Sequence, residues 1–206
     1  MEHVATYGPT FYSLSFKQSI EAQPPLLSDY RVVTVVVHQE EVARLIEKNA
    51  YLATENEKAG AMTARALASV IALRKAVEQF GIKHAISFHS SIKRAKDFAG
   101  LCDSVSKSDS SGPQMHTYHV SGSMATSQRD RIISDFALQA PSLVANARCL
   151  TEGVDIPAVD AVFFADPKSS TIDVVQACGR AMRLSPGKKL GYIVVPLVVQ
   201  VGQKVE

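Results

Sequence analysis

The stretch Asn146 to Arg183, NARCLTEGVDIPAVDAVFFADPKSSTIDVVQACGRAMR, decides how this chain is read, because it passes from a polar loop through a hydrophobic strand into a helix. Ser170-Thr171-Ile172-Asp173 has the S-x-x-D form of a capping box, in which a hydroxyl and a carboxylate satisfy the backbone donors left over at a helix start. Further along, Gln176, Arg180 and Arg183 fall at i, i+4 and i+7, which predicts one polar stripe, with Val174, Cys178 and Ala181 as an apolar stripe opposite. Two arginines are expected to point together off a packed helix. Taken alone, the same spacing also describes an ordinary solvated face.

Composition limits what the stripe can mean. A chain of 206 residues, 46% hydrophobic, can bury one good core, so a single domain is the default. The net charge of +2 argues neither for nor against nucleic acid, and any basic surface has to be local. Three cysteines, Cys102, Cys149 and Cys178, without C-x-x-C spacing exclude a zinc ribbon or disulfide framework and fit a reducing cytoplasm, where the chain is expected to reside. No apolar run reaches the ~18 residues of a membrane span, so no membrane partner is expected.

Working outward, Arg31 to Val37 (RVVTVVV) reads as a buried strand, and Glu40 to Phe80 as a long helical stretch of two helices ending at Gly81. Leu67, Val70, Leu73, Val77 and Phe80 form the apolar face of the second, where Arg74 is placed to pack its stem and reach water with its head. Ala85 to Phe88, Thr117 to Val120, Ser142 to Ala145, Ala161 to Ala165 and Gly191 to Leu197 are short hydrophobic strands. Helices from Ser91 to about Ser106 and from Ser127 to Ala137 separate the first of them, the latter opened by a second capping box at Ser127-Gln128-Arg129-Asp130. Lys107 to Pro113 reads as a surface turn. This order predicts an α/β fold, a mostly parallel sheet with helices on both faces. Thr10 to Phe16 could form a strand, and Gln23-Pro24-Pro25 should end whatever helix Phe16 begins, so residues 1–30 read as a connector or extension and 31–206 as the domain.

Ligands of such sheets meet the loops at the carboxyl ends of the strands. Those loops carry His89-Ser90-Ser91-Ile92-Lys93-Arg94, then Ser121-Gly122-Ser123, then Asn146-Ala147-Arg148 running on to Thr151-Glu152-Gly153-Val154-Asp155. Hydroxyls, free amides and a few cations suit a polyanion. Lys93 and Arg94 at a helix start have a bland alternative as an exposed face, and Asp155 one as a cap of the turn before Ile156-Pro157. His89 and His119 read as packing or hydrogen-bonding residues rather than catalysts.

The order FHSS, HVSG, NARCLTEGVDIP, QACGRAMR resembles the C-terminal RecA-like lobe of superfamily 2 helicases, nearest to bacterial helicases related to type III restriction subunits and excision-repair helicases. Phe88-His89-Ser90 matches the family's motif IV, Thr151 to Asp155 its motif V, and Gln176-x-x-Gly179-Arg180-x-x-Arg183 its motif VI. The resemblance implies a three-layer, P-loop NTPase-like domain. It implies that Arg180 and Arg183 are arginine fingers on the γ-phosphate of ATP and that Gln176 positions the nucleotide or its attacking water. Gly153, Asp155 and Gly179 would lie at the nucleotide. Ser90, Lys93, Arg94, Ser121, Gly122, Asn146, Arg148 and Thr151 would hold the backbone of a single nucleic-acid strand, most simply DNA.

No G-x-x-x-x-G-K-[ST] occurs, and Ser185-Pro186-Gly187-Lys188-Lys189 fails both its spacing and its final hydroxyl. An acidic box for Mg²⁺ is also missing, so ATP and Mg²⁺ are expected to be held mainly by an N-terminal lobe, and this chain alone should not hydrolyse ATP. The expected function is the C-terminal motor lobe of an ATP-dependent DNA helicase or translocase. The alternative is a non-catalytic nucleic-acid-binding or adaptor module that keeps the lobe's shape.

Overall fold

β-branched runs and amphipathic stretches alternate along this chain, and the computed structural model, which describes residues 13–48, 57–147 and 159–199, shows how they pair. In chain order the elements are α1 (Phe16–Glu21), β1 (Asp29–His38), α2 (Gln39–Lys48), α3 (Glu57–Phe80), β2 (His84–Phe88), α4 (Ile92–Ser108), β3 (His116–Val120), α5 (Thr126–Leu138), β4 (Ser142–Asn146), β5 (Ala161–Phe164), α6 (Thr171–Ala181) and β6 (Leu190–Val199). The strands form one sheet in the order β1-β6-β5-β2-β4-β3, and every pairing is parallel. Parallel neighbours need crossovers, and the helices supply them on both faces.

Side-chain alternation along each strand feeds two cores. On one face Val35, Val37, Ala85, Leu143, Ala161, Phe163 and Val194 pack with α2, α3 and α4, through Leu67, Val70, Leu73, Phe98 and Val105. On the other Ile86, Phe88, Val144, Val162 and Ile193 pack with α5 and α6, through Ile133, Phe136, Ala177, Cys178 and Ala181. The apolar stripes expected of α3, α5 and α6 are these faces. Helix α3 ends where expected, with Gly81 at φ 62 and the Ile82 amide donating to Val77 O.

Four local expectations need correction. The strand at 31–37 is an edge strand buried on one face only: Val35 and Val37 are interior, whereas Val32 is 63% exposed, because no described helix covers β1 on the α6 side. The box at Ser127 does not cap anything, since α5 begins at Thr126 with Ala125 at the cap position and no side-chain cap bond, so Ser127 already lies inside the helix. Arg74 keeps its head inside, donating to Asp109 Oδ2 at 2.9 Å and Asp109 O at 2.8 Å, which makes the 107–113 turn an anchor rather than a free loop. Before β1, residues 13–15 are not a strand. Ser15 and Gln18 instead make a reciprocal capping box for α1; residues 10–12 lie outside those described.

Two glycines test the packing between β6 and α6. A Cβ on Gly191 would collide with the carbonyl of Ala181, whereas one on Gly100, within α4, would meet nothing. Gly191→Ala should therefore lose about 2–3 kcal/mol of stability or more by overpacking. Gly100→Ala should gain up to about 1 kcal/mol through helix propensity. Urea unfolding of both variants checks the pair, and equal effects would refute the assigned packing.

Candidate nucleotide and nucleic-acid interface

The chain crosses from β2 out to β3, returns through β4 beside β2, then places β5 on the other side of β2. The ligand edge of such a sheet is where the strand order switches, at the carboxyl ends of β2, β4 and β5. The β2 and β4 ladder continues past its end through His89 N to Asn146 O, 3.0 Å, and β5 stays in step through Asp166 N to Phe88 O, 3.4 Å.

Asp166, 5% exposed, is the hub of this edge. Its Oδ2 accepts from the Ser90 amide and the Ser90 hydroxyl, each at 2.9 Å, and its Oδ1 lies 2.6 Å from Arg94 Nη2. Three charge-assisted contacts offset the cost of burying a carboxylate. Arg94 stands in the first turn of α4, whose cap Ser91 accepts from the Arg94 amide at 3.2 Å, so a helix-start cation is tolerated because an acid faces it. Beside the hub, Lys168 lies 5.9 Å above the Phe88 ring.

His89 is 2% exposed, with Nε2 2.9 Å from Ser87 Oγ and its ring 4.8 Å from that of Phe98. Burial pushes its pKa down to about 4; Asp166 opposes the shift, while Arg94, His119 and Lys168 add to it. It is a neutral, packed imidazole. His119 is lowered too, by burial and then Lys96, and its Nε2 has no partner among the described residues.

Of the residues expected at a phosphate backbone, Ser90, Lys93, Arg94 and Gly122 are exposed along the ends of β2 and β3. Ser121 is buried, its hydroxyl 2.9 Å from that of Ser123. Asn146 is fully buried, so its side chain lies under the rim and not on it. Arg148, Thr151, Gly153 and Asp155 lie outside the described residues.

Helix α6 starts as its sequence foretells, with Ser170 Oγ accepting from Asp173 N at 3.2 Å. Its end differs. The helix stops at Ala181, Met182 is the C-cap, and Arg183 lies beyond it, so Arg183 does not extend the stripe of Gln176 and Arg180. Gln176 and Arg183 are exposed, but Arg180 is 7% exposed, and the two arginines do not project together. Burial, and then the charge of Arg183, lower the Arg180 pKa. Gly179 meets nothing where a Cβ would stand, so no contact within the described chain requires a glycine there.

Two residues escaped the sequence reading. Asp166 could have been noticed as a lone acid directly after a hydrophobic strand and before a proline, FADP. Lys188, considered above only as part of a failed phosphate motif, donates to the carbonyls of Val159 at 2.6 Å, Ala181 at 2.5 Å and Arg183 at 3.0 Å; its signal was a lysine shortly after a helix end.

A parallel six-stranded sheet between two helical layers, with its polar groups collected at the switch of strand order, is a three-layer RecA-like α/β domain. Residues 68–185, more than half of the chain, match the helicase conserved C-terminal domain, and the chain belongs to that family. An ATP-dependent Type ISP restriction-modification enzyme solved bound to DNA superposes with a TM-score of 0.80 at 28% identity, over 99% of this chain and 14% of that one. A putative HsdR subunit fragment of a type I restriction enzyme from Vibrio vulnificus shares the fold, with a TM-score of 0.66 at 18% identity over 96% of this chain and 41% of that one. In sequence, UvrABC system protein B of Chlamydia abortus is 31% identical over 105 residues, 48% of this chain and 15% of that protein. A probable helicase of African swine fever virus is 37% identical over 59 residues, 29% of this chain and 7% of the viral protein. The matched regions thus span 7–15% of the curated relatives and of the restriction-modification enzyme, and 41% of the HsdR fragment. Among the described residues no helix is long and apolar enough to cross a membrane.

The neutral burial of His89 has a measurable consequence. Its folded pKa, about 4, lies below the unfolded 6.5, so the unfolded chain binds the extra proton first as pH falls, and stability present above pH 6.5 is lost between about 6.5 and 4. The loss from this residue between pH 7 and 5 should be about 2 kcal/mol, and His84 and His119, also lowered, act in the same direction. Urea midpoints across that range should fall, and fall less in His89→Gln; parallel slopes for the two chains would exclude the effect.

Proposed function

We propose that the chain is the C-terminal motor lobe of an ATP-dependent DNA helicase or translocase, with residues 31–206 forming the lobe and 1–30 the connector to a second lobe. The observation that carries this reading is the solvent face of α6. On it Ile172 is 70% exposed and Val175 45%, beside the exposed Gln176 and beside Gly179, whose Cβ position is empty, and just past its end Arg183 and Leu184, the latter 53%, are exposed as well. A glycine inside a helix costs up to about 1 kcal/mol relative to alanine, and an apolar rim in water is also unfavourable, so both make sense where another body closes on this face. A phosphate-bearing ligand on that body would meet Gln176 and Arg183 directly.

In this reading Arg183 reaches across the cleft to the γ-phosphate, and Arg180 acts from inside the lobe as a fixed, desolvated cation that needs little reorganisation. Gly153 and Asp155 would adjoin the nucleotide, and Gly179 would let it approach closely. ATP, with Mg²⁺, would be held mainly by the second lobe. Ser90, Lys93, Gly122, Arg148 and Thr151 would line the strand's phosphates, with Ser121 and Asn146 shaping the rim from beneath and Arg94 shared with Asp166. The preference for DNA rests on the DNA-bound restriction-modification enzyme, to which the chain is similar along almost its whole length.

In the complete protein, Arg183→Ala, an exposed change that spares folding, and Arg180→Ala should each lower strand-stimulated ATP turnover by about 10³-fold while strand binding persists. Unchanged turnover in both would remove motif VI from the mechanism. An adaptor would instead bind a labelled oligonucleotide tightly as this chain alone, read by anisotropy at fixed salt.

A further inference from the structure

The last turn of α6 is held from outside the helix. The carbonyls of Ala181, which ends it, of the C-cap Met182 and of Arg183 just beyond are each met by a donor from elsewhere in the chain. Met182 O accepts from Ser28 N at 2.8 Å and from Ser28 Oγ at 3.1 Å. Lys188 Nζ donates to Ala181 O and Arg183 O, and its third proton goes to Val159 O. Helix ends carry unsatisfied carbonyls with partial negative charge, and an ammonium with three donors suits them. Lys188 reaches back because Ser185-Pro186-Gly187 turns the chain, with Gly187 at φ 78 and the Lys188 amide donating to Ser185 O at 3.1 Å.

The ammonium does more than cap a helix. Val159 follows the TEGVD segment and leads into β5, while Arg183 is the first arginine past the helix. We propose that Lys188 is a positioning residue, whose ammonium ties the start of β5 to the end of α6 and sets the direction in which the chain leaves at Arg183. The clamp itself stands on geometry; its service to catalysis rests on the motor-lobe reading above. Loss of the clamp takes the ammonium away from the carbonyl of Arg183, and a misplacement of order 1 Å at a phosphate contact is enough to slow turnover by up to about 100-fold.

The charged and titratable groups around Lys188 are Asp160 at the approach to β5, Lys83 and His84 at the start of β2, Lys189 next in the chain, Arg183 itself, and Tyr192 in β6. Asp160 Oδ2 is occupied by the backbone amides of Lys83 and His84, each at 2.9 Å, so carbonyls rather than a carboxylate are the partners of the ammonium. Burial pushes the Lys188 pKa down to about 8, with Asp160 opposing. The unfolded lysine titrates near 10.5, above the folded value, so linkage does not lower global stability as pH rises through 8. The signal to read is local.

Carbonyl-carbon NMR shifts of Val159, Ala181 and Arg183 in the 206-residue chain should titrate together with a midpoint near 8. They should do so again in Lys189→Met and not in Lys188→Met, which keeps the stem and removes the donors. Independent titrations of the three carbonyls in the native chain overturn the clamp, as do carbonyl shifts that stay unmoved while the Cε and Hε resonances of Lys188 report its own deprotonation, and that measurement decides even if Lys188→Met does not fold. In the complete protein, Lys188→Met should lower kcat for strand-stimulated ATP hydrolysis about tenfold or more with KM for ATP nearly unchanged. An unchanged kcat, or a loss carried by KM alone, overturns the positioning role. If Arg180→Ala and Arg183→Ala are both silent in turnover, the motor reading fails at motif VI, and the shared titration still decides the clamp.

Discussion

Parallel pairing of β2 with β4 on one side and β5 on the other is the constraint on which the site depends. Every strand of a parallel sheet ends on the same edge, so groups far apart in sequence meet there without long connections. Ser90 and Asp166 are separated by 76 residues in sequence and by 2.9 Å in space, because β2 and β5 are neighbours in register, Phe88 beside Phe164. The hydrophobic layers above and below, Phe163 and Leu143 on one face and Phe88 and Val162 on the other, hold that register, since a slip by one residue would turn each strand inside out.

Charge is used unevenly across the edge. Asp166 is buried and saturated with donors, and it draws Arg94 into a pair that leaves the arginine's side chain 43% exposed. A phosphate arriving at Arg94 therefore competes with a carboxylate already in place, and the outcome depends on local screening as much as on the arginine itself. Lys188 solves the opposite problem: a half-buried cation with carbonyls for partners, stabilised by the dipoles of a helix end. Both groups spend their charge on fixing backbone, and both lie next to residues that the family's motifs make conspicuous.

Periodicity made the architecture legible. The alternation of short hydrophobic strands with amphipathic helices gave the layers, and Gly81, Ser91 and Ser170 marked three helix ends where the structure has them. What could not be read was anything set by neighbours in space. The run RVVTVVV has the composition of an interior strand, and only its place at the sheet edge, beside β6 alone, exposes Val32. Ser127 and Asp130 have the spacing of a cap, but the chain entered the helix earlier. Arg94 was readable as a cation and not as half of a pair, because its partner comes from a strand end 72 residues further on.

The end of α6 shows why a spacing rule fails at a helix terminus. Positions i and i+3 share a face only while the helical rise continues, and here it stops at Ala181, where Ser28 and Lys188 take the carbonyls that the next turn would have used. Arg180 consequently belongs to the packed side of the lobe, in the layer of Ala177 and Ala181, and Arg183 to the exposed loop that follows. On the motor-lobe reading the two are not interchangeable fingers. A buried guanidinium contributes a field whose position is fixed by packing, whereas an exposed one contributes reach and must be aimed. The aiming falls to the backbone at residues 181–183, whose amides at Met182 and Arg183 still donate back to Gly179 O and Arg180 O, while its carbonyls are held from outside the helix by one serine and one ammonium.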